Sequence, residues 1–119
     1  MPARCNPVLI CLGLLSATLV FSGCTTIGIG DAAYANNTIS LPISNTGDPS
    51  GGYIQVTVYE IINNQQEERD VFYAPLALQQ GENTASIPGT LEPGQYKLYI
   101  YLIQDGERKA ATIRDIVVR

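Results

Sequence analysis

Four groups of residues in this 119-residue chain have types and spacings that could support chemistry: one cysteine, one acceptor tripeptide, a few carboxylates and a set of tyrosines. Cys24 ends the run Phe21-Ser22-Gly23-Cys24 and is the last of three cysteines, Cys5 and Cys11 both lying before that run. Small residues before it let an extended chain thread a narrow peptidase groove and leave the thiol free to attack a lipid donor. Asn36-Asn37-Thr38 has the pattern that accepts an N-linked glycan at Asn36. The pair Glu67-Glu68 offers two carboxylates for acid–base work, yet it follows Asn63-Asn64-Gln65-Gln66, so a solvated turn without an enclosing pocket is expected. Asp48, Asp105 and Glu107 offer oxygens to a calcium ion. Such an ion takes about six or more oxygens, and no dense Asp/Asn run supplies them, so no metal site is expected. Tyr99 and Tyr101 share one strand face, with Tyr53 and Tyr59 as candidate neighbours. They form either a binding strip or cross-strand pairs that stabilise a sheet.

The elements that would have to position these groups begin with an address. Arg4 precedes an uncharged apolar stretch over residues 8–21, within the roughly 7–15 residues of a signal-peptide core. The stretch ends in the small pair Ser22-Gly23 before Cys24. This part resembles the lipobox of bacterial and some archaeal lipoproteins, in which an aliphatic residue, a small residue and Gly or Ala precede the modified Cys; Phe21 stands where Leu is usual. The resemblance implies cleavage before Cys24 and a lipid on its thiol. Two alternatives stay open: ordinary cleaved secretion, and an uncleaved anchor, since no charge occurs between Arg4 and Asp31 and about 20 such residues span a bilayer. All three place the remainder of the chain outside the cytoplasmic membrane. A diacylglyceryl-type group would hold firmly, because each buried methylene contributes about 0.8 kcal/mol and two chains exceed the marginal hold of one.

Composition then excludes whole classes of function. There is no His, which removes Ser–His dyads, imidazole bases and His-ligated zinc. Cys5 and Cys11 lie within the leader, so the exported part has no thiol pair for zinc or a disulfide. Neither catalytic residues nor cofactors are expected, and the chain reads as a non-enzyme. Asp and Glu total 11 against 7 Lys and Arg, a net charge of −4. That balance lacks the basic stripe that nucleic acid requires and the cations that an anionic membrane surface attracts.

The organisation expected is a leader over residues 1–23, a tether over residues 24–37 rich in Thr, Gly, Ala and Asn, and one β-domain over residues 38–119. From Thr38 apolar and polar residues alternate between turn clusters about 8–12 residues apart, the pattern of an all-β sandwich. Ile39, Leu41 and Ile43 share a face of a first strand, placed at a sheet edge because it contains Pro42. Asn45-Thr46-Gly47-Asp48-Pro49 is a loop, after which Ile54, Val56 and Val58 face inward until the phase slips at Ile61-Ile62. Shorter strands follow through Phe72, through Leu76 and Leu78, and over residues 84–87. Leu91-Glu92-Pro93-Gly94-Gln95-Tyr96 reverses the chain into the strongest strand, with Leu98, Ile100 and Leu102 on the face of Tyr96. Asp105-Gly106 is a hairpin dipeptide joining it to the last strand, where a bulge near Arg114-Asp115 would reconcile two apolar phases.

Leu-x-Pro-Gly-x-Tyr before an alternating strand resembles the tyrosine corner of immunoglobulin-like and fibronectin-III-like sandwiches, with Tyr96 as the corner and Leu91 as its packing neighbour. The span from Ile39 to Val118, with its Asn-x-Gly loop, is similar to the cell-adhesion-related Ig-like domains of prokaryotic surface proteins. The resemblance implies a single Ig-like (fibronectin-III-like) antiparallel β-sandwich of about seven strands. As a function it implies a lipid-anchored extracytoplasmic module with a structural or protein-binding role and a protein partner at the cell envelope. Alternatives are a carbohydrate or small-ligand module using the tyrosine-bearing face, or an accessory subunit of an envelope complex. A fold of this kind hosts many functions, so the site has to decide among them.

Overall fold

The computed structural model describes residues 26–119, and these build two antiparallel sheets packed face to face. The first has β3 (Thr38–Asn45) at its centre, β6 (Gly81–Pro88) on one side, and β1 (Ile27–Ile29) and β2 (Ala33–Ala35) end to end on the other. The second runs in the order β5 (Gln65–Leu78), β4 (Ser50–Ile62), β7 (Gly94–Gln104), β8 (Glu107–Val118). With β1 and β2 counted as one interrupted strand, three positions face four in an Ig-like, fibronectin-III-like sandwich.

Alternation makes the core. Ile39, Leu41 and Ile43 of β3 meet Ile54, Val56 and Val58 of β4 and Leu98, Ile100 and Leu102 of β7, all at 0% exposure. Each such side chain contributes roughly 1.5–3 kcal/mol by leaving water, and together they hold the sheets without a disulfide. Turn chemistry sets the registers. Asn36-Asn37, Asn63-Asn64 and Asp105-Gly106 each place both central residues at positive φ, 53° and 75° in the last, which matches the right-handed twist of the strands they join.

Four features differ from the sequence reading, each for a local reason. The sandwich starts at Ile27, because residues 27–29 and 33–35 pair with β3 where a tether was expected. That pairing also puts β3 inside its sheet despite Pro42. The Pro42 carbonyl accepts a bond from the Gly30 amide (2.8 Å), so its donor-less nitrogen, pointing to the same side, faces the break between β1 and β2. Only glycine fits at residue 30, since a Cβ there would meet Pro42 Cγ at 2.6 Å. Leu76 and Leu78 continue β5 through Pro75, which this edge strand tolerates, instead of forming a separate strand. Finally, the bulges fall at Arg69, opposite Val58 and Tyr59, and at Lys109, opposite Leu102 and Ile103, while β8 passes Arg114-Asp115 in regular register.

Regular register turns Arg114 inward, and its position explains the apparent phase change. Its Nε and Nη2 donate to the carbonyls of Gly30 and Ile29, at 3.0 and 2.8 Å, and tie the first strand of one sheet to the last strand of the other. A guanidinium can do what a buried aliphatic cannot, because it satisfies two carbonyls at the open side of the sandwich with one planar fork.

Candidate functional site

The outer face of the second sheet carries the candidate site. Outward positions of β4 are Tyr53, Gln55, Thr57 and Tyr59, and those of β7 include Lys97, Tyr99 and Tyr101. The β4–β7 register sets Tyr101 beside Gln55 and Tyr99 beside Thr57, and the β4–β5 register adds Tyr73 on the other side of Gln55. From β8, Ile113 stands opposite Tyr99 and Val117 opposite Gln95. Five of the chain's seven tyrosines therefore share this face. So do the large apolar side chains that remain exposed among the described residues: Tyr73 (60%), Val117 (55%), Ile113 (50%) and Tyr53 (41%).

The rings are organised by contacts with one another. Tyr59 and Tyr99 meet edge to face with centroids 4.9 Å apart and planes at 65°, while Tyr53 and Tyr73 are tilted by 52° at 6.2 Å. Tyr99 Oη donates to Gln66 Oε1 (3.1 Å), and the Arg108 guanidinium carbon lies 4.1 Å from the centre of the Tyr101 ring. Beneath this layer Thr57 and Ile103 are both only 8% exposed although they point outward. Tyr99, Tyr101, Ala111, Thr112 and Ile113 line a shallow groove of about 470 Å³. Lys97 and Asp115 bridge at 3.0 Å beside Tyr59, giving the aromatic patch a charged margin.

Of the residues singled out in the sequence, Tyr53, Tyr59, Tyr99 and Tyr101 thus lie together. The sequence reading did not include Tyr73, Ile113, Val117 or Arg108 among them. A signal for Tyr73 exists: Ala74, Leu76 and Leu78 are buried on alternate positions, which turns Tyr73 outward. Ile113 precedes the bulge expected near Arg114-Asp115; without that bulge it takes the outward phase, opposite to Ile116.

The other candidates are dispersed. Tyr96 (3% exposed) donates from its hydroxyl to the Glu92 carbonyl at 2.6 Å, with Leu91 buried beside it and the Leu91 amide bonded to Tyr34 Oη at 2.9 Å. Burial raises the Tyr96 pKa, and the carboxylates of Glu60 and Glu92 push it further the same way. Asn36 is exposed in the turn between β2 and β3, its carbonyl accepting from Thr38 Oγ1 at 3.2 Å. Glu67 and Glu68 lie within β5 instead of a turn, and Arg69 bridges Glu67 (3.0 Å) and Glu60 (2.8 Å). Glu107 is paired with Lys109 at 3.0 Å, which lowers its pKa, and among the described residues no group of three or more acidic or thiol side chains could hold a metal. Asn45, 3% exposed, fastens its own loop by donating to the carbonyls of Asp48 and Gln79 and accepting from the Gly47 amide.

Cys24 lies outside the described residues. Residues 27–29, which belong to the uncharged stretch before Asp31, are committed to the sheet. Among the described residues no helix is long and apolar enough to cross a bilayer.

The described residues form a single β-sandwich module. No family model and no curated protein matches its sequence. Among solved structures it is similar to one described as a "putative beta-galactosidase" from Bacteroides fragilis, with a TM-score of 0.50 and 17% identity over 79% of this chain. The match spans 16% of that much longer chain, and a likeness at this identity concerns the fold.

Proposed function

We propose that this protein is a non-enzymatic, lipid-anchored Ig-like module, held outside the cytoplasmic membrane through Cys24, that binds a protein partner with the tyrosine-bearing face of its second sheet. The observation that supports the reading is the gathering of Tyr53, Tyr73, Ile113 and Val117, the exposed large apolar side chains among the described residues, on one outer face. Patches of that kind mark interaction sites, and Tyr and Arg are the side chains that most often carry binding energy at protein interfaces. The anchor rests on the lipobox-like Phe21-Ser22-Gly23-Cys24 and on the apolar run that precedes it.

Carbohydrate binding on the same face is the less favoured alternative. A sugar stacks on flat, open ring faces, whereas these rings are tilted by 52° and 65° against each other and Arg108 covers one face of Tyr101.

A photo-activatable cross-linker placed at Tyr73 of the full chain, in its native membrane, tests the face. One discrete protein adduct is expected, lost when Ile113 is changed to Lys and absent when the probe sits at Ser86 on the opposite sheet. Equal labelling from both positions, or saturable binding of an oligosaccharide with no protein adduct, sinks the protein-binding reading. For the anchor, intact mass of membrane-extracted protein decides: a lipid adduct on a chain beginning at Cys24 is expected, and a free thiol or a retained Met1 refutes it.

A further inference from the structure

The first described residues are already fastened. The Thr26 carbonyl accepts bonds from both the amide (2.9 Å) and the hydroxyl (3.3 Å) of Thr46, and Ile27 pairs with Asn45. Two peptide steps separate Thr26 from Cys24, and at no more than about 3.6 Å per residue in an extended chain the two Cα atoms lie within about 7 Å of each other. A tether this short bounds how far Thr26, and the end of the sandwich to which it is fastened, can stand from the lipid.

From this we infer which end of the sandwich faces the bilayer: the end built by residues 46–49, the turn at Gln79 and Gln80, and the hairpin Asp105-Gly106 rests against the lipid headgroups. This rests on the anchoring proposed above. The loops are one structural unit. Gln80 Nε2 donates to the Thr46 carbonyl (3.4 Å), Asn45 Nδ2 to the Gln79 carbonyl (3.3 Å), and Gln104 Nε2 to Ser50 Oγ (2.8 Å). Their chemistry suits contact with a hydrated polar surface, being mostly amides and hydroxyls. Asp48, Glu82, Asp105 and Glu107 outnumber Arg108 and Lys109 there, so the contact is imposed by the tether and not by attraction to anionic lipid. The chain's net charge of −4 likewise disfavours lying flat on such a surface.

The opposite end then points away. The 13 residues of β4 run from one end to the other, about 40 Å at roughly 3.3 Å per residue, and put the Asn63-Asn64 turn far from the membrane. Asn36 shares that distal end, where a glycosylating enzyme would reach it, and the tyrosine face stands along the side, open to a partner in the envelope.

Depth-dependent quenching tests the orientation. The full chain is processed in cells, then reconstituted into phosphatidylethanolamine/phosphatidylglycerol vesicles containing a nitroxide-headgroup lipid, with a fluorophore on a cysteine introduced by Asp105→Cys or Asn64→Cys. The label at residue 105 is expected to be quenched at least threefold more than the label at residue 64. Inserting a 12-residue Gly/Ser segment between Thr25 and Thr26, roughly 20 Å of flexible reach, is expected to erase most of that difference. Equal quenching at both positions in a chain that floats with the vesicles overturns the orientation and leaves the anchor standing. An unchanged difference after the insertion overturns the role of the tether. A chain that does not float overturns both the anchor and the orientation.

Discussion

The two sheets are alike inside and unlike outside. On inner positions both present the same alternation of fully buried aliphatics, Ile39, Leu41 and Ile43 in one and Ile54, Val56 and Val58 in the other. On outer positions the first sheet shows Ser40, Pro42 and Ser44 opposite Ser86, Thr84 and Glu82, whereas the second shows tyrosines, Ile113 and Val117. The fold needs only the shared half of this pattern. A sheet face covered by serine and threonine folds as well as one covered by tyrosine, so the unshared half is where the proposed binding role can be tested apart from folding.

The largest effects test the likeness of the interiors. Leu41→Ala in the first sheet and Ile100→Ala in the second, both at 0% exposure, are each expected to destabilise by about 2–5 kcal/mol in urea denaturation. If the second-sheet variant costs several-fold more than the first, the tyrosine layer outside it is part of the folding core and the contrast fails. Next comes the latch between the sheets. Arg114→Met removes the donors to the Ile29 and Gly30 carbonyls and should cost about 1–3 kcal/mol, with amide exchange accelerated first in β1. Arg114→Lys keeps the charge without the planar fork and should fall between the two.

Much of this was legible in the sequence, and the misses share a cause. Turn residues with positive φ, such as Asp105 and Gly106, declare themselves locally, as do runs such as Leu98, Ile100 and Leu102. What local pattern cannot supply is a partner across the chain. Ile27 to Ile29 looked like tether because three residues show no period, and only the edge of β3, reached 14 or more residues later, makes them a strand. Arg114 looked like a break in the apolar phase of β8 because its partners, two carbonyls, are absent from any pattern of side chains. Tyr53, Tyr59, Tyr99 and Tyr101 could be placed on outward positions, but the completion of the patch by Tyr73 and Ile113 depends on the registers of three hairpins.

Tyr96→Phe marks the boundary between the two kinds of tyrosine. Its hydroxyl serves the fold through Glu92, so loss should cost about 1 kcal/mol and leave the cross-link at Tyr73 unchanged. The pH dependence has a definite sign. Burial, with Glu60 and Glu92, raises the folded pKa above the unfolded value of 10.0, so the contribution is complete below pH 10 and is lost as pH rises through the raised value. Denaturation midpoints measured from pH 8 upward should fall more steeply in the native chain than in Tyr96→Phe; parallel curves would show that the corner does not titrate with unfolding.

The smallest effects on stability should come from the outer face, and they carry the sharpest test. Tyr73→Ser and Ile113→Ser remove side chains that are 60% and 50% exposed, so each is expected to change stability by no more than about 0.5 kcal/mol. Tyr59→Ser also breaks the edge-to-face pair with Tyr99 and should cost somewhat more, about 0.5–1.5 kcal/mol. A face maintained for folding would lose stability and binding in proportion. A face maintained for a partner behaves otherwise, because at Tyr73 and Ile113 the apolar surface leaves water only when the partner arrives. Ile113→Ser should therefore abolish the cross-link from residue 73, and Tyr73→Ser that from a probe placed at Tyr53, while leaving the denaturation curve in place, and Ser86→Ala on the other sheet should leave both unchanged.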